Sequence, residues 1–112
     1  MAFIIRYQDK VSDDLKTIKA YLQRFSEDAP YKVLAKMVQR IDLLAQFPGM
    51  GRRCAYDPDY QQLTVDDYWV LYQADEKRQA IEIHYILHSS RNIEKILATK
   101  DRSFAPPDDD IE

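Results

Sequence analysis

The densest chemistry in this chain sits at His88-Ser89-Ser90-Arg91-Asn92, where an apolar run ends. An imidazole can act as acid or base near neutrality, and a guanidinium three residues on can hold an anion in its fork of N–H groups. His88 can equally end a strand and hydrogen-bond nearby backbone, so both readings stand. A second cationic pair, Arg52 and Arg53, follows the chain's two glycines in Phe47-Pro48-Gly49-Met50-Gly51. Proline beside glycine makes a sharp turn, which either delivers the arginines side by side to a site or leaves them in solvent. His84 and His88 are four apart, but two imidazoles without neighbouring cysteines rarely make a metal site, and no metal or cofactor is expected. Cys54 is the single cysteine, so it has no intramolecular disulfide partner and reads as a structural or incidental thiol.

These residues must be positioned by one small domain. At 112 residues the chain can bury roughly 65% of the surface its unfolded form exposes. No apolar run approaches the ~20 residues of a membrane span, and Met-Ala-Phe-Ile-Ile is too short for a signal peptide, so a cytoplasmic protein without membrane association is expected. Asp108, Asp109, Asp110 and Glu112 account for four of the carboxylates behind the net charge of −3, which leaves the rest of the chain at +1. That near-neutral body does not announce a broad nucleic-acid footprint, although a local basic cluster is still possible. The domain is expected over 1–104, with 105–112 as a mobile acidic tail.

Ala2 to Tyr7 reads as a strand, with Phe3, Ile5 and Tyr7 on one face. Ser12 is placed to cap a helix, with Asp13 and Asp14 near its positive end. Val11, Leu15, Ile18, Leu22 and Phe25 then form its apolar stripe. Pro30 suits the first turn of a second helix, whose stripe runs through Val33, Leu34, Met37, Val38, Ile41, Leu44 and Ala45. So short a link between the helices predicts an antiparallel hairpin. A loop through Tyr56 to Tyr60 leads to three strands, Gln61 to Val65, Tyr68 to Ala74 and Ala80 to His88, with Asp66-Asp67 as a tight connection. In the last strand, alternation puts Ile81, Ile83, Tyr85 and Leu87 on the helix-facing side and Glu82, His84, Ile86 and His88 on the other. A short helix over Arg91 to Thr99 ends the domain. The fold class is therefore α+β: an N-terminal strand, an antiparallel helical hairpin, a three-stranded antiparallel meander forming one sheet packed on the helices, and a short C-terminal helix.

This order, with a histidine and Arg91 after the meander and the turn Phe47-Pro48-Gly49-Met50-Gly51-Arg52 after the second helix, resembles the RelE/ParE superfamily of bacterial toxins. The resemblance covers residues 3–92. Its other specific parts are Tyr68-x-Val70-x-Tyr72 and Ile86-Leu87-His88-Ser89-Ser90-Arg91-Asn92. It implies the toxin of a type II toxin-antitoxin module of the plasmid-stabilization kind. A cognate antitoxin would hold it inactive by wrapping its C-terminal segment over the helices and sheet. Operator DNA would be bound only through the antitoxin.

Two activities occur in the superfamily: RelE-like members cut mRNA on the ribosome, and ParE-like members poison DNA gyrase. Metal-free RNA cleavage by 2'-hydroxyl attack needs an acid, a base and cations around the phosphate. For that endoribonuclease the candidates are His88, Arg91, Arg52, Arg53 and Tyr72, with Tyr85 as a further ring that could stack or donate. Family arginines are, however, replaced here by Gln61, Trp69 and Gln73. The Pro-Gly-Met-Gly turn and the His-x-Ser-x-Asn ending resemble the ParE branch, for which no catalytic set carries over. His88, Arg91, Asn92 and Trp69 are then contact residues for gyrase, with sheet packing as the structural alternative for Trp69. An inactive toxin-fold binding protein is a third reading.

Overall fold

A computed structural model describes residues 2–102. The chain runs through strand β1 (Ile4–Tyr7), helices α1 (Val11–Gln23) and α2 (Ala29–Asp42), a 3-10 turn (Leu43–Ala45), strands β2 (Arg52–Arg53), β3 (Gln61–Val65), β4 (Tyr68–Asp75) and β5 (Ala80–His88), and helix α3 (Ile93–Thr99). The strands form one sheet in the order β1-β5-β4-β3-β2. β1 runs parallel to β5, with Ile5 beside Ile81 and Tyr7 beside Ile83. The other pairings are antiparallel. The expected meander is thus the middle of a five-stranded sheet, and Arg52 and Arg53, read as loop, form a short edge strand that pairs with Gln62 and Gln61.

Apolar periodicity explains the layers. Val11 and Ile18 of α1 and Met37 and Ile41 of α2 pack with Leu44 onto Leu63, Val65, Tyr68, Val70, Tyr72, Ile81, Ile83 and Ile86. The second face is covered too: Tyr60, Leu71, Tyr85 and Leu87 meet Cys54 and the Ile93, Ile96 and Leu97 side of α3. Both ends of α1 differ from expectation. α1 begins at Val11 without a side-chain cap, because Ser12 Oγ donates to the carbonyl of Asp9 at 2.9 Å instead. Phe25, the last member of the expected stripe, lies beyond the helix and is 69% exposed.

The alternation expected along β5 fails halfway. Leu71 pairs with Tyr85, but the next residue, Tyr72, pairs with Ile83. His84 is therefore an extra residue in β5, a β-bulge that turns every later side chain to the opposite face. Ile81 and Ile83 face the helical hairpin as expected, whereas Tyr85 and Leu87 face α3, and Ile86 joins the hairpin core. His88, opposite Tyr68, thus stands on the hairpin side and not on the side assigned from parity.

The Pro-Gly turn is pinned from inside. Tyr72 is fully buried. Its hydroxyl donates to the Pro48 carbonyl at 2.8 Å and accepts from the Gly51 N–H at 3.0 Å. A Cβ at position 51 would lie 2.7 Å from both that hydroxyl and the Gln62 carbonyl, so glycine is required there for close approach.

Candidate functional site

The bulge places His88 at the end of β5 between β4 and α1. Its ring meets Tyr68 edge-on at 5.2 Å and Tyr21 at 6.5 Å. The backbone N–H of Ser90 donates to His88 Nδ1 at 3.1 Å, and the Ser90 hydroxyl lies 2.8 Å from the same nitrogen. An N–H aimed at Nδ1 requires a lone pair there, so neutral His88 carries its proton on Nε2. Thr17, Ile18, Ile86 and Arg91 close a cavity of about 20 Å³ beside it, large enough for one water molecule. An open groove of about 600 Å³ adjoins it, with Tyr21, Phe25, Val33, Asp66, Asp67 and Tyr68 along its walls. Burial raises the Tyr68 phenol to about 12, with Tyr21 and Asp67 adding to the shift, so it is a neutral donor at physiological pH.

Behind this cavity lies a charged cluster that the sequence reading missed. Asp14 is 2% exposed. Its Oδ2 accepts from the Ile86 N–H at 3.0 Å and from Arg102 Nη1 at 2.7 Å. Arg102 also donates to the carbonyls of Lys10 at 3.1 Å and His84 at 3.0 Å, and its guanidinium lies 4.1 Å from the Tyr85 ring centroid. Arg91 Nη2 donates to the Arg102 carbonyl at 3.0 Å. The cause is topological. β1 stops beside Ile83, so the backbone of β5 beyond it lacks a strand on the side away from β4, and Asp14 and Arg102 satisfy it there. Burial pushes Asp14 up to about 6, against the lowering effects of the Ile86 N–H, Arg102 and Arg91, while Asp13 raises it further. Burial also lowers Arg91, an effect that Asp14 opposes and Arg102 reinforces. A signal for Asp14 was present: it lies three residues after Val11 and four before Ile18, on the buried stripe of α1.

The candidate residues do not converge. His88 and Arg91 share the small cavity. Asn92 caps α3, its side-chain oxygen accepting from the Lys95 N–H at 3.1 Å. Trp69 is on the opposite face of the sheet, stacked on Tyr56 at 5.8 Å. Tyr72 and Tyr85 are both core residues, which leaves Tyr72 no open ring face for a base. Arg52 and Arg53 are on β2, three strands from β5, roughly 14 Å across the sheet from His88 before the offset along the strands is added. Arg53 Nη1 is held by the Pro58 carbonyl at 2.7 Å. An open cleft of about 640 Å³ beside Gln61 and Gln73 is lined by Asp59, Asp75, Glu76 and Glu82 against Arg53 and Lys77. Among the described residues no group of histidines, cysteines and carboxylates is arranged to hold a metal, and no helix is long and apolar enough to cross a membrane.

A five-stranded sheet between a helical hairpin and a short C-terminal helix defines a class, and solved structures share it. A ParDE toxin-antitoxin system from P. aeruginosa is similar with a TM-score of 0.66 at 18% identity, over 78% of this chain and 96% of that one. The RelBE2 toxin-antitoxin complex of Mycobacterium tuberculosis gives 0.60 at 16% identity, over 79% and 92%. Isolated E. coli RelE toxin gives 0.52 at 12% identity, over 88% and 97%. No curated protein matches by sequence. At such identities the likeness is one of fold, that of the RelE/ParE toxins. Residues 5–93 match the ParE toxin of the type II toxin-antitoxin system parDE, and the chain belongs to that family.

Proposed function

We propose that this ParE-like type II toxin acts by inhibiting DNA gyrase, through the end of the sheet that carries His88, and is neutralised by a cognate antitoxin. The observation that carries the choice is the separation of Arg52 and Arg53 from His88, together with the carboxylates around the open cleft beside Gln61 and Gln73. Phosphoryl cleavage needs cations gathered on one phosphate, with an acid and a base in reach. Here the cleft would repel RNA, and the guanidinium of Arg91 beside the His88 cluster is turned inward to the Arg102 carbonyl. The toxin is then a binding protein and not an enzyme. The fit to an antitoxin rests on the hairpin surface. Phe25, Tyr31, Val38, Leu43 and Phe47 are each at least 44% exposed, and Tyr31 and Val38 lie two turns apart on the same outer side of α2. Operator DNA would be engaged through the antitoxin.

The test is supercoiling by purified gyrase with the purified toxin, alongside cleavage of mRNA on programmed ribosomes. The expected result is lost supercoiling, restored by antitoxin, with mRNA intact. His88→Ala should weaken inhibition about tenfold, roughly the loss of a single 1.4 kcal/mol contact. Paired alanines at Arg52 and Arg53 should leave it within about twofold. Codon-specific mRNA cuts with supercoiling unaffected would replace this reading with the endonuclease. Neither effect, in a folded protein that still binds antitoxin, would assign the chain to inert binding partners.

A further inference from the structure

A further cleft, of about 440 Å³, opens where β1 ends and β5 continues with β4 as its only neighbouring strand. Lys10 enters it from the loop before α1, Lys100 and Arg102 enter it from the end of α3, and the bulged His84 lies among them. Lys100 is held in the left-handed region, at φ 59°, where the chain turns back after α3 toward Asp14. Arg102 is committed to Asp14 and to the carbonyls of Lys10 and His84. Neither Lys10 nor Lys100 has an ion-pair partner among the described residues. Of the nearby carboxylates, Glu82 is held by Gln8 Nε2 and lies 3.7 Å from Arg6 Nε, and Asp9 is on the rim. Among the described residues, Lys10, Lys100 and Arg102 against Asp9 leave the lining of this cleft net positive, within a chain whose net charge is −3.

We propose that this cleft is a phosphate-binding site for a nucleotide or a single-stranded nucleic acid end, with Lys10 and Lys100 holding the phosphoryl oxygens and His84 facing the base or sugar. The cleft far exceeds what a carboxylate would fill, and compact ammonium charges suit phosphate. The half-buried His84 ring, edge-on to Tyr60 at 5.2 Å, offers an aromatic surface of the kind that single strands use. Nothing in this site depends on the gyrase reading: it shares no residue with the His88 cavity.

His84 reports on the ligand. Burial lowers its pKa first, Glu82 opposes this, and Arg102 and Lys100 lower it further. The charged groups around it are Asp9 and Lys10 before α1, Asp14 on α1, Glu82 on β5, and Lys100 and Arg102 after α3, with Tyr60 opposite. An anion between the lysines favours the imidazolium, so binding should raise the His84 pKa and leave His88 unmoved. The experiment is an NMR titration of both histidines in the full chain with inorganic phosphate and with a short 5'-phosphorylated DNA strand, paired with fluorescence anisotropy of the labelled strand. K10E/K100E should weaken strand binding at least tenfold and flatten the salt slope by about 1.4, from two single-strand phosphate contacts. Its unfolding curve, matched to the parent, separates lost binding from lost fold. A His84 response to phosphate but not to the strand keeps the site and assigns it to small phosphates. An unmoved His84 at saturating phosphate and strand, or unchanged strand binding by K10E/K100E, overturns it. So does a glutamate peptide of equal charge that binds as tightly as the strand, which would make the cleft a seat for an acidic protein segment.

Discussion

Asp14 shows what a buried carboxylate does to folding. Its folded pKa, about 6, lies above the ordinary value of 3.8, so the folded state holds the proton more tightly between those values. Its contribution to stability is therefore full below the unfolded pKa and is lost as pH rises through about 6. Asp14→Asn keeps an oxygen for the Ile86 N–H without a buried charge. It should match the parent near pH 4 and exceed it at pH 7 by up to about 3 kcal/mol, from 1.36 kcal/mol per pKa unit. Asp14→Ala removes the acceptor and should cost about 2 kcal/mol near pH 4, a deficit that vanishes by pH 7 as the parent loses its own contribution. Urea unfolding at several pH values checks both. Tyr72 makes a parallel case with neutral groups. Tyr72→Phe strips the turn of a donor and an acceptor and should cost about 2 kcal/mol. Gly51→Ala should remain destabilising on that background, because the Gln62 carbonyl would still be 2.7 Å from the added carbon. Thermal melts of the single and double variants read this directly.

Among the elements, β5 carries the chief lesson. Its existence, length and ends agree with the sequence reading, because alternating β-branched and aromatic residues bounded by polar loops admit little else. Its faces do not agree beyond His84. A bulge leaves no mark in a run where Tyr85, Ile86 and Leu87 are all apolar and all buried, since each suits a core on either side. The two covered faces remove the polar partner that would have fixed the alternation. Deleting His84 should turn Tyr85 and Leu87 into the hairpin core and Ile86 toward α3. The expected outcome is loss of a single cooperative unfolding transition, whereas His84→Ala, with the bulge kept, should stay within about 1 kcal/mol of the parent. α3 behaves differently: a short helix ending at Thr99 follows from spacing, but it starts at Ile93 and not at Arg91, because Asn92, read as a contact residue, caps it.

For the whole molecule, the surface decides how partners are met. Phe25, Tyr31, Val38, Leu43 and Phe47 give the exposed hairpin surface large apolar side chains among its charged ones, and Lys36 on α2 is already engaged by Asp66 at 2.7 Å. Antitoxin affinity should therefore change little, within about tenfold, between low and moderate salt, while a charge-steered interface would lose far more. Calorimetry across a salt series distinguishes the two. Family membership covers residues 5–93, a range that includes Gln61, Trp69 and Gln73. The acidic run and the expected mobile tail lie outside the described residues.

The sequence by itself determined the elements other than the edge strand β2, their order and the class. Helical stripes, the Pro-Gly turn and the apolar strands each follow from local periodicity and backbone preference, which need no knowledge of distant contacts. Only the tertiary structure decided which chemistry-bearing residues meet. It set Arg52 and Arg53 at the far edge from His88, consumed Tyr72 and Asn92 in local hydrogen bonds, and moved His88 to the hairpin side through one extra residue in β5. It also brought Asp14 to Arg102, 88 residues away, because β1 ends before β5 and exposed backbone groups must find partners from wherever the fold can supply them. Such pairings arise from strand order and register, which no short stretch of sequence encodes.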